Sequence, residues 1–272
     1  MVIGSRHESA HFRQARGKLN DAQPFVAADG PQASCQCDPH LGAPQKGTLG
    51  VMYKLALVLS TVPSTNVFRS ALTGAFGSGY FNDFLVCSGF FHERTNKKGA
   101  FYASKALHTR SLPDPSKVTV VGAYDPAATE FDDFVKSLAT GLKTVTGAAV
   151  LVTQRRSHKK YANHWHAKIF IARNAAHHGF AVIGSSNLTR SAFDVSPSNN
   201  EADVIIWDDF SPIAKKIATD ALTGRQDGAP DAAQRPTIVV SNYDPSDIRN
   251  TAPIQMNDRL NALWQDVLAA TA

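Results

Sequence analysis

The sequence predicts an α/β protein with a mixed or mostly parallel sheet, and three observations carry that prediction. Short runs rich in Val, Ile and Phe, bounded by turn-forming or polar residues, recur along the chain and suit strands. Several are separated by stretches with apolar residues at helical spacing, so strands and helices alternate. At 272 residues and 43% hydrophobic content, the chain can bury a sizeable core as one domain plus an extension.

Residues 1–51 are weakly patterned, poor in aromatics and rich in Gly, Ala, Gln and Pro. That composition suits a disordered leader or an upstream extension, with the folded domain expected over 52–272 and Met52 as an alternative start. Cys35 and Cys37, with His40 nearby, lack the second ligand pair that a metal clip needs. Residues 53–59 read as an amphipathic first element in preference to a short signal sequence. Residues 66–77 suit a helix, 83–91 a buried strand that takes Phe90 and Phe91 into the core, and 117–122 another strand. Over 128–144 the spacing of Phe131, Phe134, Leu138 and Leu142 predicts an amphipathic helix. A strand over 148–153 leads into a basic segment over 154–164. Three more apolar runs then follow, 169–171, 180–183 and 204–206, each with polar residues at or beside an end. Residues 174–179 read as an enlarged hairpin loop that exposes His177 and His178. The spacing predicts helices starting at 188 and over 213–222 and 259–269, with a late strand over 237–240.

The formal charge of +5 and pI near 9.1 favour an anionic partner. Their distribution says more, because no Asp or Glu falls between Phe134 and Phe193, while nine Lys and Arg do. Within that stretch Arg155, Arg156, Lys159 and Lys160 read as a solvated basic loop that touches a nucleic-acid backbone. Three cysteines without a framework argue against a disulfide-stapled secreted domain. No apolar run reaches the roughly 20 residues of a membrane-spanning helix. A cytoplasmic protein without a membrane partner is the expectation.

The residues with chemistry sit around the three central runs. Side chains two apart on a strand share a face, so His166 would project with Lys168, and Ser185 with Asn187. An imidazole, an ammonium, a hydroxyl, a carboxamide and the Glu201 carboxylate can thus converge on one small volume, a set suited to handling a phosphate. Each piece alone has a bland reading. His158 and Lys159 are also a His and Lys close together, Gly184 to Asn187 could be an ordinary strand-to-helix turn, and Glu201 a surface carboxylate. Their order and strand placement together are harder to dismiss.

In these pieces the chain resembles the phospholipase D superfamily, whose signature is His-x-Lys, a downstream Asp, and Gly-Ser-x-Asn. More narrowly it is similar to the single-motif nucleases of that superfamily, including phospholipase D-like restriction endonucleases, in which a Glu after an Asn-rich turn begins the next strand, as in Asn199-Asn200-Glu201. The resemblance implies a phospholipase D-like mixed β-sheet flanked by helices on both faces. It implies that His166 attacks phosphorus to form a phosphohistidine and that a second histidine protonates the leaving oxygen. It implies further that Lys168 and Asn187 bind the non-bridging oxygens with Ser185 assisting, that Glu201 accepts a histidine Nδ1 proton, and that no metal or other cofactor is required. One motif supplies one histidine, so a homodimer with His166 from each subunit meeting across a two-fold axis is expected. His164 is expected as a same-face neighbour, structural or in contact with substrate. A zinc site of His164, His166 and His177 would lack a carboxylate or thiolate nearby in sequence.

One departure stands out. The family's Asp would fall at Arg173, and the gap from Lys168 to Gly184 is longer than the signature's. This weakens a lipid-enzyme reading more than a nuclease reading. The expected activity is metal-independent cleavage of DNA, with RNA as second choice. The alternatives are a phospholipase D-type lipid phosphodiesterase or phosphatidyl transferase, and a non-catalytic nucleic-acid-binding subunit beside a helicase or restriction partner.

Overall fold

An eight-stranded mixed sheet runs through the domain in the order β10-β1-β9-β8-β7-β2-β5-β6. The structure is a computed structural model describing residues 52–60, 66–96, 99–122, 129–147, 149–158, 166–175, 177–194, 199–224, 236–247 and 254–272. The 1–51 leader, with Cys35, Cys37 and His40, lies outside the described residues. In chain order the elements are β1 (Tyr53–Ser60), α1 (Val67–Gly77), β2 (Asp83–Cys87), β3 (Thr95–Asn96), β4 (Gly99–Ala100), α2 (Ala103–Ala106), β5 (Ser116–Gly122), α3 (Thr129–Thr146) and β6 (Val150–Arg156). They continue with β7 (Ile169–Asn174), β8 (His177–Gly184), α4 (Arg190–Phe193), β9 (Glu201–Asp208), α5 (Pro212–Thr223), β10 (Thr237–Asn242) and α6 (Met256–Ala269). Strands β2, β5 and β6 pair in parallel, and every other pairing in the large sheet is antiparallel.

Alternation along the strands divides the core in two. Phe84, Val86, Phe170, Val182 and Ile205 face one side, where they meet Leu72 and Phe76 of α1, Phe134 and Leu138 of α3, and Ile217 of α5. Leu85, Cys87, Ile171, Ala181 and Ile206 face the other, under Met256, Leu260, Trp264 and Val267 of α6. Helices therefore cover both faces, as expected. Local signals set their ends. The Asn66 side chain accepts the Arg69 N–H at 2.8 Å and starts α1. Ser211 and Pro212 open α5, and Gly224 closes it in the left-handed region at φ 64°. Among the described residues no helix is long and apolar enough to cross a membrane.

The structure refines one local expectation and corrects three. The first element, 53–59, is strand β1, because β9 and β10 flank it and satisfy its backbone on both sides. The enlarged loop at 174–179 is a tight hairpin, in which Asn174 faces His177 and Ala175 takes φ 52°. His177 and His178 accordingly belong to β8. His177 Nε2 lies 3.0 Å from Asp208, and His178 is fully buried, its Nδ1 3.2 Å from Asn257 Oδ1 and its ring edge-on to Trp264. Burial holds the His178 pKa below the usual histidine range, outweighing the Asn257 hydrogen bond. Finally, Phe91 enters the core at 6% exposure, but Phe90 stands out at 60%.

Candidate active site

Strand polarity brings the motif residues to one edge of the sheet. The N-terminal ends of β7 and β9 lie beside the C-terminal ends of β8 and β2, with Ile169 opposite both Ile183 and Cys87, and Gly184 opposite Asp203. The ladder continues past the strands, for the Gly184 N–H donates to the Lys168 carbonyl at 3.1 Å and the Ser185 N–H to the Ala202 carbonyl at 3.0 Å. Phe170, Val182 and Ile205 share one core face. Lys168, Gly184 and Asp203, each two residues further toward the edge, lie on that same side. His166 is exposed and Lys168 half-buried, and among the described residues neither side chain has a hydrogen-bond or ion-pair partner.

The turn after β8 is held from below and from the side. Ser185 Oγ donates to Glu201 and accepts the Ala202 N–H at 2.9 Å. Glu201 also accepts from Asn199 Nδ2 at 3.3 Å, which leaves a carboxylate with further acceptor capacity. Ser186 turns inward, its hydroxyl 2.7 Å and its N–H 3.3 Å from the Asp203 carboxylate. Burial raises the Asp203 pKa, the Ser186 bonds oppose that shift, and the nearby Glu201 charge adds to it. Gly184 is required here, since a Cβ would lie 2.0 Å from Asp203 Oδ1 and 2.6 Å from the Ala202 carbonyl.

Asn187 is fixed by the loop that leaves β2. Its Oδ1 receives the N–H groups of Gly89 at 3.2 Å and Phe90 at 3.3 Å, with Ser88 Oγ at 3.3 Å. Ser88 Oγ in turn accepts the Leu188 N–H at 3.1 Å and donates to the Phe90 carbonyl at 2.6 Å. Because the carbonyl end of the carboxamide is held, its Nδ2 is left as the donor end. Sequence reasoning missed Ser88 and Asp203. Asp203 had a signal, sitting two residues after Glu201 on a strand and hence on the same face. Ser88 had none, for it lies 99 residues from Asn187.

The remaining expected residues fare differently. Arg155 is occupied within the fold, donating to Thr271 Oγ1 at 3.0 Å and to the Leu268 and Thr271 carbonyls at 3.0 and 2.7 Å. It ties down the C-terminal end of α6 and is not free for a phosphate. Arg156 pairs with Asp132 and covers the Phe131 ring at 4.7 Å. Lys159, Lys160 and His164 lie outside the described residues. The basic segment does leave the sheet at the motif edge, because Arg155 is level with Val121, and Val121 with Cys87 through Val86 and Val120 beside it. Three strand spacings separate β6 from β7, about 14 Å.

Arg173 stands in place of the signature Asp at the far end of β7. Its Nε and Nη2 donate to Asp83 Oδ2 at 2.9 and 2.6 Å, and its guanidinium lies 3.9 Å over the Trp264 ring. The position serves packing between β2, β7 and α6. The zinc alternative fails on geometry, since His177 begins β8 and Gly184 ends it, about 23 Å apart along the strand. Among the described residues no group of three or more His, Cys, Asp or Glu is placed to hold a metal ion.

No protein-family model matches the chain, and no curated protein matches it. Among solved structures it is similar to a histidine-to-alanine mutant of yeast tyrosyl-DNA phosphodiesterase, with 13% identity, TM-score 0.31, and coverage of 56% of this chain and 46% of that one. The yeast enzyme without that mutation gives 11% identity, TM-score 0.29, and coverage of 56% and 45%. Phosphatidylserine synthase from Haemophilus influenzae gives 11% identity, TM-score 0.37, and coverage of 82% of this chain and 48% of that one. The chain spans somewhat under half the length of these structures. In this chain the mixed sheet brings Lys168, Ser185, Asn187 and Glu201 to one edge.

Proposed function

We propose that this chain is a metal-independent phosphodiesterase that cleaves DNA, with RNA as the second candidate, at a site completed by a second copy of the chain. The observation that carries the reading is the gathering of Lys168, Ser185, Asn187 and Glu201 at one sheet edge, with the Asn187 carboxamide locked so that its donor end is free. His166, two residues before Lys168, is exposed.

A phosphodiester resists attack because its anionic oxygens repel a nucleophile and its leaving alkoxide is basic. In the proposed reaction His166 attacks phosphorus, and the bond to the leaving oxygen breaks as His166 of the partner subunit donates its proton. That second imidazole, now neutral, takes a proton from water as the water displaces the phosphohistidine. Neutral imidazole is a nucleophile and imidazolium an acid near neutral pH, so one residue type fills both roles. Lys168 and Asn187 Nδ2 stabilise the charge on the non-bridging oxygens. Glu201, held by Ser185 and Asn199, has lone pairs left for a histidine Nδ1–H and would fix that ring's tautomer.

The test is cleavage of single- and double-stranded DNA in excess EDTA, with His166→Ala alongside and sedimentation of both proteins. EDTA-resistant cleavage that the substitution abolishes, by a dimer, is expected. Cleavage lost in EDTA would reject the metal-independent mechanism. A fully active monomer would reject the shared site, and DNA bound without cleavage would favour a non-catalytic subunit.

A further inference from the structure

We infer that Phe90 is a stacking platform for a nucleobase beside the scissile phosphate, so that the site takes an unpaired strand. The inference rests on the phosphodiesterase reading above and adds the state of the polynucleotide to it.

Phe90 is 60% exposed while the adjacent Phe91 is 6% exposed. The exposure is built in. Phe90 donates its N–H to Asn187 Oδ1 and receives the Ser88 hydroxyl on its carbonyl at 2.6 Å, so both ends of its peptide frame are held. Phe91 bridges to Leu188 and packs its ring 4.8 and 4.9 Å from Phe131 and Phe134. Turning Phe90 inward would pull Phe91 out of the core. A large ring held on a rigid backbone loses little conformational freedom when something binds it.

Position and charge name the occupant. Phe90 shares a hydrogen bond with the residue proposed to hold the phosphate, so the ring stands within one nucleotide's reach of it. From Ser88 to Lys105 the sequence carries Lys97, Lys98 and Lys105, besides Arg94 that pairs with Glu130, against a single acid, Glu93. Glu93 is turned inward at 4% exposure and bonded by the Ser104 N–H at 2.9 Å. An aromatic ring within a basic segment is the arrangement that stacks bases while cations follow the backbone. Among the described residues the other exposed apolar side chains of the sheet lie elsewhere, with Leu151 on β6 level with Asp83 at the opposite end of β2. The exposed apolar residues Leu57, Leu59 and Val239 sit on β1 and β10, four or more strand spacings from β2 and on the order of 19 Å away. A base within a duplex has both faces covered by its neighbours, so the ring can meet one only in an unpaired or flipped strand.

The experiment uses a single-stranded oligonucleotide carrying 2-aminopurine, titrated with the full-length His166→Ala protein so that no substrate is consumed. Binding should quench the fluorescence. Adding Phe90→Ala should abolish the quenching and weaken binding about 10-fold, Phe90→Tyr should keep both, and sedimentation should not change. Equal quenching with Phe90→Ala overturns the inference, as does a shift from dimer to monomer with quenching kept, which would make the ring part of a subunit interface. Oligonucleotide bound without quenching overturns the platform alone. No binding of any oligonucleotide overturns the nuclease reading together with it.

Discussion

Replacing Asn187 by Asp keeps an acceptor for the Ser88–Phe90 loop and removes the amide that would face a phosphate, whereas Asn187→Ala removes both. In the Asp variant one oxygen still receives the Gly89 and Phe90 N–H groups, now 3.2 and 3.3 Å from Oδ1, and charge strengthens such bonds. Stability should therefore hold. The other carboxylate oxygen replaces the Nδ2 donor. Losing one transition-state donor costs about 10²- to 10³-fold in turnover, and two like charges about 4 Å apart at an effective dielectric near 20 repel by about 4 kcal/mol. Turnover should fall by at least about 10³-fold. Asn187→Ala leaves two loop N–H groups without their acceptor, and at about 0.5–1.5 kcal/mol each the domain should lose about 1–3 kcal/mol. Thermal melting and DNA turnover in EDTA, measured on both variants, check this. An Asp variant within tenfold of wild-type turnover would refute the donor role, and an Ala variant as stable as the Asp variant would refute the anchoring.

Arg173→Met should lower stability by about 1–3 kcal/mol, because it removes two bonds to Asp83 and the stacking on Trp264. Cleavage should be unchanged, and a loss of cleavage at wild-type stability would return Arg173 to the site. Burial depresses the His178 pKa, so just below the ordinary value of roughly 6.5 the unfolded chain binds the proton that the folded one refuses. Its contribution to stability is thus full above that value and is lost as pH falls toward the folded pKa. Melting temperature should drop more steeply on acidification for wild type than for His178→Gln, and parallel curves would reject the linkage. Changing Arg156, Lys159 and Lys160 to Gln should flatten the salt dependence of DNA binding, by a slope of about 0.7–0.9 for each phosphate that is no longer neutralised. Arg155→Ala should instead lower stability by freeing the end of α6. An unchanged slope in the triple variant would remove the basic segment from the interface.

Sequence reading reached far where the signal is local. The helices α1, α3, α5 and α6 showed themselves through apolar spacing, and β7, β8 and β9 through their Ile- and Val-rich runs. The three motif pieces could be placed at strand ends for the same reason, since period two fixes which side chains share a face. Where the partner is distant, the reading stopped short or failed. The run 53–59 carries no local mark of a strand laid between β9 and β10. The polar pair His177-His178 looks like a loop until α6 covers it, with the Tyr53 hydroxyl 2.7 Å from the His178 carbonyl across 125 residues. Phe90 and Phe91 are chemically identical, and only the bridge between Phe91 and Leu188 decides which of them is buried.

By itself, then, the sequence determined most element types, the α/β class and which side chains stand at the ends of the three motif strands, because these follow from side-chain chemistry and short-range periodicity. Tertiary structure decided that Arg173 is tied to Asp83 away from the motif edge, that Arg155 secures the C-terminus, and that Ser88 and Asp203 brace the turn carrying Ser185 and Asn187. Each of those outcomes depends on which strands become neighbours in the sheet. Strand pairing is a long-range choice settled by burial of the whole core, and no short window of sequence contains it.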